Sequence, residues 1–115
     1  MSATALRDHV VTALEDGKGQ KILALDVTKL TSITDFMVLV SGTSNRHVKA
    51  LVDQTIDAAK EIGVPVRGIE GRETYEWVLL DLGDVLVHVM QASAREFYDL
   101  ERLWSELPAN NESSV

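Results

Sequence analysis

Three groups of residues in this chain have the types that catalysis or binding uses. The first is Ser41-Gly42-Thr43-Ser44, small polar residues between an apolar run and a helix-like stretch. Backbone N–H groups at a helix N-terminus hold anions such as phosphate. The run lacks the G-x-x-x-x-G-K-S/T and G-x-G-x-x-G spacings, and a tight turn with Ser44 as N-cap accounts for it equally. Arg46 and His47 follow in the first helical turn, where cations oppose the helix dipole. The second group is acidic. Asp53 and Asp57 are four apart on a helix, and Asp81 and Asp84 are three apart across a turn. Metal-assisted phosphoryl chemistry needs carboxylates that project to one face from positions two apart on a strand, a spacing neither pair has. The third group is His9, His47 and His88, which fall in separate elements with no second ligand at i+2 or i+4. The chain has no cysteine, hence no disulfide, thiolate zinc site or Cys nucleophile. No G-x-S-x-G elbow marks a serine triad. These patterns predict no catalytic, cofactor or metal site. A nucleotide-binding or transferase-type enzyme using the Gly42–His47 loop stands as the alternative.

The elements that must position these residues can be read from periodicity. Leu6, Val10 and Leu14 at i, i+4 and i+8 predict a helix over Thr4–Glu15, ended by Gly17 and Gly19. Residues 21–27 are nearly continuously apolar, which predicts a strand buried on both faces. A polar loop, Thr28–Thr34, leads to a second apolar strand, 36–40. Val48, Leu51, Val52, Ile56 and Ala59 give a stripe to a helix from Asn45 to Ile62, closed by Gly63 and Pro65. Val66–Glu70 is a short strand, so strand 36–40, the helix and this strand predict a crossover between two parallel strands. Trp77–Leu82 and Val85–Met90 are strands joined by Gly83-Asp84, where glycine at the first turn position suits a type II′ hairpin. Ser93-x-x-Glu96 is a capping box for a last helix, with Phe97, Leu100, Trp104 and Leu107 on its apolar stripe and Pro108 as its stop. The expectation is an α/β domain over residues 1–107, a mixed sheet of about five strands with three helices, and a disordered polar tail over 108–115.

The hairpin has one plain face and one mixed face. With a two-residue turn, Leu82 pairs with Val85, Asp81 with Leu86, Leu79 with His88, and Trp77 with Met90. Alternation then puts Val78, Leu80, Leu82, Val85, Val87 and Val89 on one face, which must be core. The other face carries Trp77, Leu79, Asp81, Leu86, His88 and Met90. Large apolar anchors edged by polar groups are the composition of a protein interface. Two further readings stand beside that one: the last helix covers this face and His88 is a satisfied core histidine, or the face joins two copies of the chain.

Composition narrows the classes. The chain is 115 residues long, 45% hydrophobic and 25% charged, as in an ordinary globular domain. No apolar run approaches ~20 residues, the length a membrane span needs. The N-terminus has neither a signal-peptide core nor an Arg-rich transit composition, so the expected location is the cytoplasm. Eleven Lys and Arg against eighteen Asp and Glu give a net charge of −7. Direct binding to nucleic acid depends on cationic contacts with phosphate, so this chain is a poor candidate for it. A basic protein partner suits the charge better.

Several blocks, in order, resemble one family. They are Leu25-Asp26-Val27, Ser32-Ile33-Thr34-Asp35, Ser41 to His47, Gly68 to Gly71, Trp77, Asp81 to Val85, Val87-His88-Val89-Met90, Arg95, Tyr98 to Glu101 and Leu103-Trp104. Over residues 4–105 this pattern is similar to the ribosomal silencing factors, also called Iojap-like proteins. The resemblance implies a mixed α/β sheet of nucleotidyltransferase-like topology without known catalysis, in keeping with the missing carboxylate pair. It implies a translational repressor of nutrient limitation or stationary phase. Such a repressor binds the large ribosomal subunit through its protein number fourteen and blocks joining with the small subunit. It also implies a possible homodimer, and it implies no cofactor. Carried over by motif, the partner-binding residues are Trp77, Asp81, Leu82, Asp84, His88, Met90 and Tyr98. Trp77 and Met90 are expected as apolar anchors, Asp81 and Asp84 as acids that meet basic side chains, and Tyr98 as a hydroxyl near the hairpin. Leu82 is at odds with the face assignment, which makes it core.

Overall fold

A computed structural model describes residues 2–98, with only the helical backbone described for 96–98. The order of elements is α1 (Ala3–Asp16), β1 (Gln20–Asp26), β2 (Phe36–Gly42), α2 (Asn45–Glu61), β3 (Gly68–Glu70), β4 (Trp77–Asp81), β5 (Val85–Gln91) and α3 (Ala92–Tyr98). The expected alternation of elements is present. The stretch from Leu100 to the 108–115 tail lies outside the described residues. The last helix begins at Ala92, directly after β5, so Ser93 lies inside it and is not its cap.

The sheet has the order β1-β2-β5-β4-β3. Strand β2 pairs antiparallel with β1 and parallel with β5, and β5-β4 and β4-β3 are both antiparallel. Following those directions across the sheet, β3 runs parallel to β2, as the crossover predicts. The two are not neighbours, however. The β4–β5 hairpin folds back into the gap, so β5 and β4 lie between β2 and β3. Local periodicity carries a strand's direction but not which strand will fill the slot next to it.

Burial follows position in the sheet. Strand β2, next to the edge strand β1, is buried along its whole length. Its Phe36, Val38 and Val40 face the main core, and Met37 and Leu39 face a smaller one. Strand β1 is an edge strand, and its residues are only partly buried or exposed. The expectation of a strand enclosed on both faces is therefore corrected for β1. Its apolar run reflects two half-covered faces, with Ile22 packed on the main core and Leu23 and Leu25 on the smaller one. A bulge interrupts its ladder between Gln20 and Leu23, where Lys21 takes a left-handed backbone at φ +49.

Helices α1 and α2 pack together on one side of the sheet. Ser2 Oγ accepts from the Ala5 N–H at 3.1 Å to cap α1, which buries Leu6, Val10 and Leu14. Ser44 Oγ accepts from the His47 N–H at 3.1 Å to cap α2. The plain face of the hairpin meets these helices: Val78, Leu80, Leu82, Val85, Val87 and Val89 are all buried in the main core. Hairpin register is as expected, with Trp77 opposite Met90, Leu79 opposite His88 and Asp81 opposite Leu86. Gly83 has φ +86, the positive value that the first position of a II′ turn needs.

Candidate partner-binding face

The mixed face of the hairpin is half covered. Helix α3 and the segment around Val27 and Leu30 build the smaller core over β1, β2 and the end of β5. Met90 is 0% exposed and Ala94 5%, and both lie within it. The structure therefore does not offer Met90 as a surface anchor: it supports Trp77 from below. Trp77, Leu79, Leu86 and His88 stay half-buried. Trp77 and Leu86 rest against the smaller core. Covering by the last helix therefore holds at Met90, whereas Trp77, Leu79, Leu86 and His88 remain partly open.

Trp77 and His88 form a unit. The indole Nε1–H donates to His88 Nδ1 at 2.9 Å, with ring centroids 5.9 Å apart and planes tilted by 45°. An indole N–H is a donor only, so Nδ1 must be the acceptor and the ring proton sits on Nε2. Burial pushes the His88 pKa down from 6.5 to about 4. The imidazole is neutral at neutral pH, with its Nε2–H available as a donor. Beside the pair lies an open groove of about 290 Å³ lined by Glu70, Gly71, Trp77, Leu79 and His88. Glu70 reaches it because β3 pairs with β4 there, opposite Leu79.

The acids sit at the turn end of the hairpin. Asp81 is half-buried, and its Oδ1 accepts from the Gly83 N–H at 2.8 Å. One carboxylate oxygen thus braces the turn. Asp84 is exposed, and its carbonyl accepts from the N–H groups of Asp35 and Phe36, both at 3.0 Å. Leu82 is 3% exposed and belongs to the main core, which resolves its position in favour of the face assignment. Tyr98 ends α3, and its side chain lies outside the described residues. Glu70, Gly71 and Leu79 were not among the expected site residues. Leu79 was on the right face by alternation, but Glu70 and Gly71 join the groove only through the β3–β4 pairing.

The other candidate loop is closed on itself. The Thr43 N–H donates to His47 Nδ1 at 2.9 Å, and the His47 N–H is held by Ser44 Oγ. His47 Nε2 lies 2.9 Å from the Gly17 carbonyl, tying α2 to the turn after α1. The donors that an anion would use at Thr43 and His47 are already taken. His9 lies elsewhere, with Nε2 3.1 Å from Glu61 Oε1. Among the described residues no cluster of three His, Asp or Glu side chains is placed to hold a metal, and no helix is long and apolar enough to cross a membrane.

The comparisons give the family. A family model described as "Ribosomal silencing factor during starvation" matches residues 1–115, and the chain belongs to that family. It is 51% identical over 94 residues to the ribosomal silencing factor RsfS of Chromobacterium violaceum, covering 82% of this chain and 77% of that one. It is 43% identical over 101 residues to RsfS of Haemophilus influenzae, covering 88% of this chain and 99% of that one. A crystal structure of a protein from Chromobacterium violaceum superposes with a TM-score of 0.89 at 46% identity, covering 93% of this chain and 89% of that one. The family resemblance read from the motif blocks is confirmed, as is the mixed α/β fold.

Proposed function

We propose that this chain is a translational repressor that binds the large ribosomal subunit, chiefly through its protein number fourteen, and sterically blocks joining with the small subunit. The observation that carries the reading is the half-open Trp77–His88 groove, on a chain of this family. An aromatic side chain packed from behind and open in front is preorganised, so little side-chain freedom is lost on binding. The neutral His88 brings no positive charge to oppose a basic partner, and its Nε2–H suits a carbonyl or hydroxyl oxygen of the partner. Asp84 and the free oxygen of Asp81 suit basic side chains at the rim, where charge mainly speeds encounter. A body of this size that buries ~800 Å² on its partner projects far enough to keep another large particle away. No covalent step is involved, and the place of action is the cytoplasm, where ribosomes are.

The test is sedimentation of purified protein with separated ribosomal subunits, using wild type, Trp77→Ala and Trp77→Phe. Wild type should travel with the large subunit and reduce the joined peak. Truncating a hot-spot tryptophan costs ~2–4 kcal/mol of binding, so Trp77→Ala should bind at least tenfold more weakly. Trp77→Phe keeps an aromatic anchor but no donor for His88 and should fall between them. Normal joining with wild type left at the top of the gradient refutes the proposal. If Trp77→Ala instead changes only the mass of the free protein, the face joins two copies of this chain.

A further inference from the structure

In the Ser41–His47 segment the Thr43 and His47 N–H groups are taken, and one of its residues reaches across the molecule. Asn45 Nδ2 donates to the Thr74 carbonyl at 3.1 Å. Asn45 Oδ1 accepts from Gln91 Nε2. Gln91 is the last residue of β5, and its backbone N–H donates to the Glu76 carbonyl at 2.9 Å. Its side-chain Nε2 lies 3.5 Å from the Tyr75 carbonyl. The carbonyls of three consecutive residues, Thr74, Tyr75 and Glu76, are therefore all held from one side. The next residue is Trp77.

The loop that is held in this way does not sit there freely. Tyr75 has φ +56 and Gly71 has φ +96. A left-handed backbone is unfavourable for a residue with a side chain and persists only when its surroundings impose it. At its start the loop closes against Trp77 itself: a Cβ at Gly71 would stand 2.0 Å from the Trp77 carbonyl oxygen. Trp77 is thus set by two constraints, its ladder with β5 and the closed loop before it.

We propose that Asn45, acting with Gln91, is a positioning residue for the partner-binding face. It fixes the 71–76 loop, and through it the backbone and indole of Trp77, without itself meeting the partner. This rests on the reading of Trp77 as the docking anchor. The amide is needed in one orientation, donating towards Thr74 and accepting from Gln91. Asp at this position has the same shape but no donor, and it sets a carboxylate oxygen against the Thr74 carbonyl. A carboxylate is favoured in the first turn of a helix, so α2 is not weakened by the change. Nor does an added negative charge repel a basic partner. Asn45→Asp therefore isolates the clamp from helix stability and from charge.

The experiment compares full-length wild type, Asn45→Asp and Gln91→Glu by three readouts. These are the thermal midpoint, the Trp77 indole N–H resonance (assigned against Trp104→Phe) and affinity for isolated large ribosomal subunits. In both variants the Trp77 resonance should move and its N–H should exchange faster with water. Affinity should fall roughly three- to tenfold, and the midpoint should fall by no more than the several degrees that losing about one hydrogen bond costs a small domain. An unmoved resonance with unchanged affinity overturns the inference. So does lost affinity with an unmoved resonance, which would make Asn45 a direct contact. If wild type itself fails to bind the large subunit, the proposed function falls, and the indole resonance alone then decides the positioning role.

Discussion

Lowering the pH from 7 to 4 should weaken this fold through His88 in particular. In the unfolded chain its imidazole titrates near 6.5, whereas burial holds it at about 4 in the folded protein. Between those values the unfolded chain binds a proton that the folded chain refuses. Stability is thus fully present above pH 6.5 and is lost as pH falls towards 4. Each pH unit in that interval is worth ~1.4 kcal/mol, so the loss approaches about 3 kcal/mol. Protonation also ends the bond from Trp77, because a doubly protonated imidazole has no acceptor left. The assay is urea unfolding at a series of pH values for wild type and His88→Asn. The Asn Oδ1 stands close to the position of Nδ1 and accepts from the indole, but the side chain does not titrate. Carboxylates that also respond to acid, such as Asp26, held low by its hydrogen bonds from Thr28, contribute equally to both proteins and cancel. With a slope of ~1–3 kcal/mol per molar urea, the wild-type midpoint should drop roughly 1–3 M further than that of the variant between pH 6.5 and 4. Parallel profiles for the two proteins, or an His88 resonance titrating near 6.5, would refute the picture of a neutral, desolvated imidazole behind Trp77.

Two substitutions test the parts of the frame that hold this pair. Gly71→Ala places a Cβ 2.0 Å from the Trp77 carbonyl oxygen at φ +96, so it should destabilise by ~2 kcal/mol or more and shift Trp77 emission; denaturation midpoints check it. Leu80→Ala empties a fully buried position in the main core on the reverse side of β4. It should cost ~2–5 kcal/mol by calorimetry or urea while leaving large-subunit binding intact at temperatures where the protein is folded.

Much of the fold was legible because its local rules agree with its tertiary packing. The α1 stripe of Leu6, Val10 and Leu14 is buried as the 3.6-residue period requires. The hairpin register follows from Gly83-Asp84, and with it the separation of a wholly aliphatic face from a mixed one. What was not legible depends on contacts between distant segments. Met90 has the same alternation as Trp77 and His88, and nothing in the hairpin says that α3 and the Val27–Leu30 segment will cover that end of the face. The insertion of β5 between β2 and β4 is likewise a choice among strands of similar composition. Asn45 read as an ordinary residue beside a cap, since its partners Thr74 and Gln91 lie 29 and 46 positions away.

The bulge in β1 bears on how this protein behaves when it is concentrated. An open sheet has two edges, and each is a template on which another chain can add strands and begin to aggregate. Here one edge is β3, only three residues long. The other is β1, where the ladder breaks between Gln20 and Leu23 and Lys21 sits in the kink. Arg95 of α3 fastens that kink from within, its Nη1 donating to the Lys21 carbonyl at 2.6 Å and to Ser41 Oγ at 3.1 Å. Another strand adding along β1 would meet a misaligned backbone between Gln20 and Leu23 and the charged Lys21 in the kink. The regular part of that edge is thereby shortened to Leu23–Asp26, which disfavours growth of the sheet from one molecule into the next.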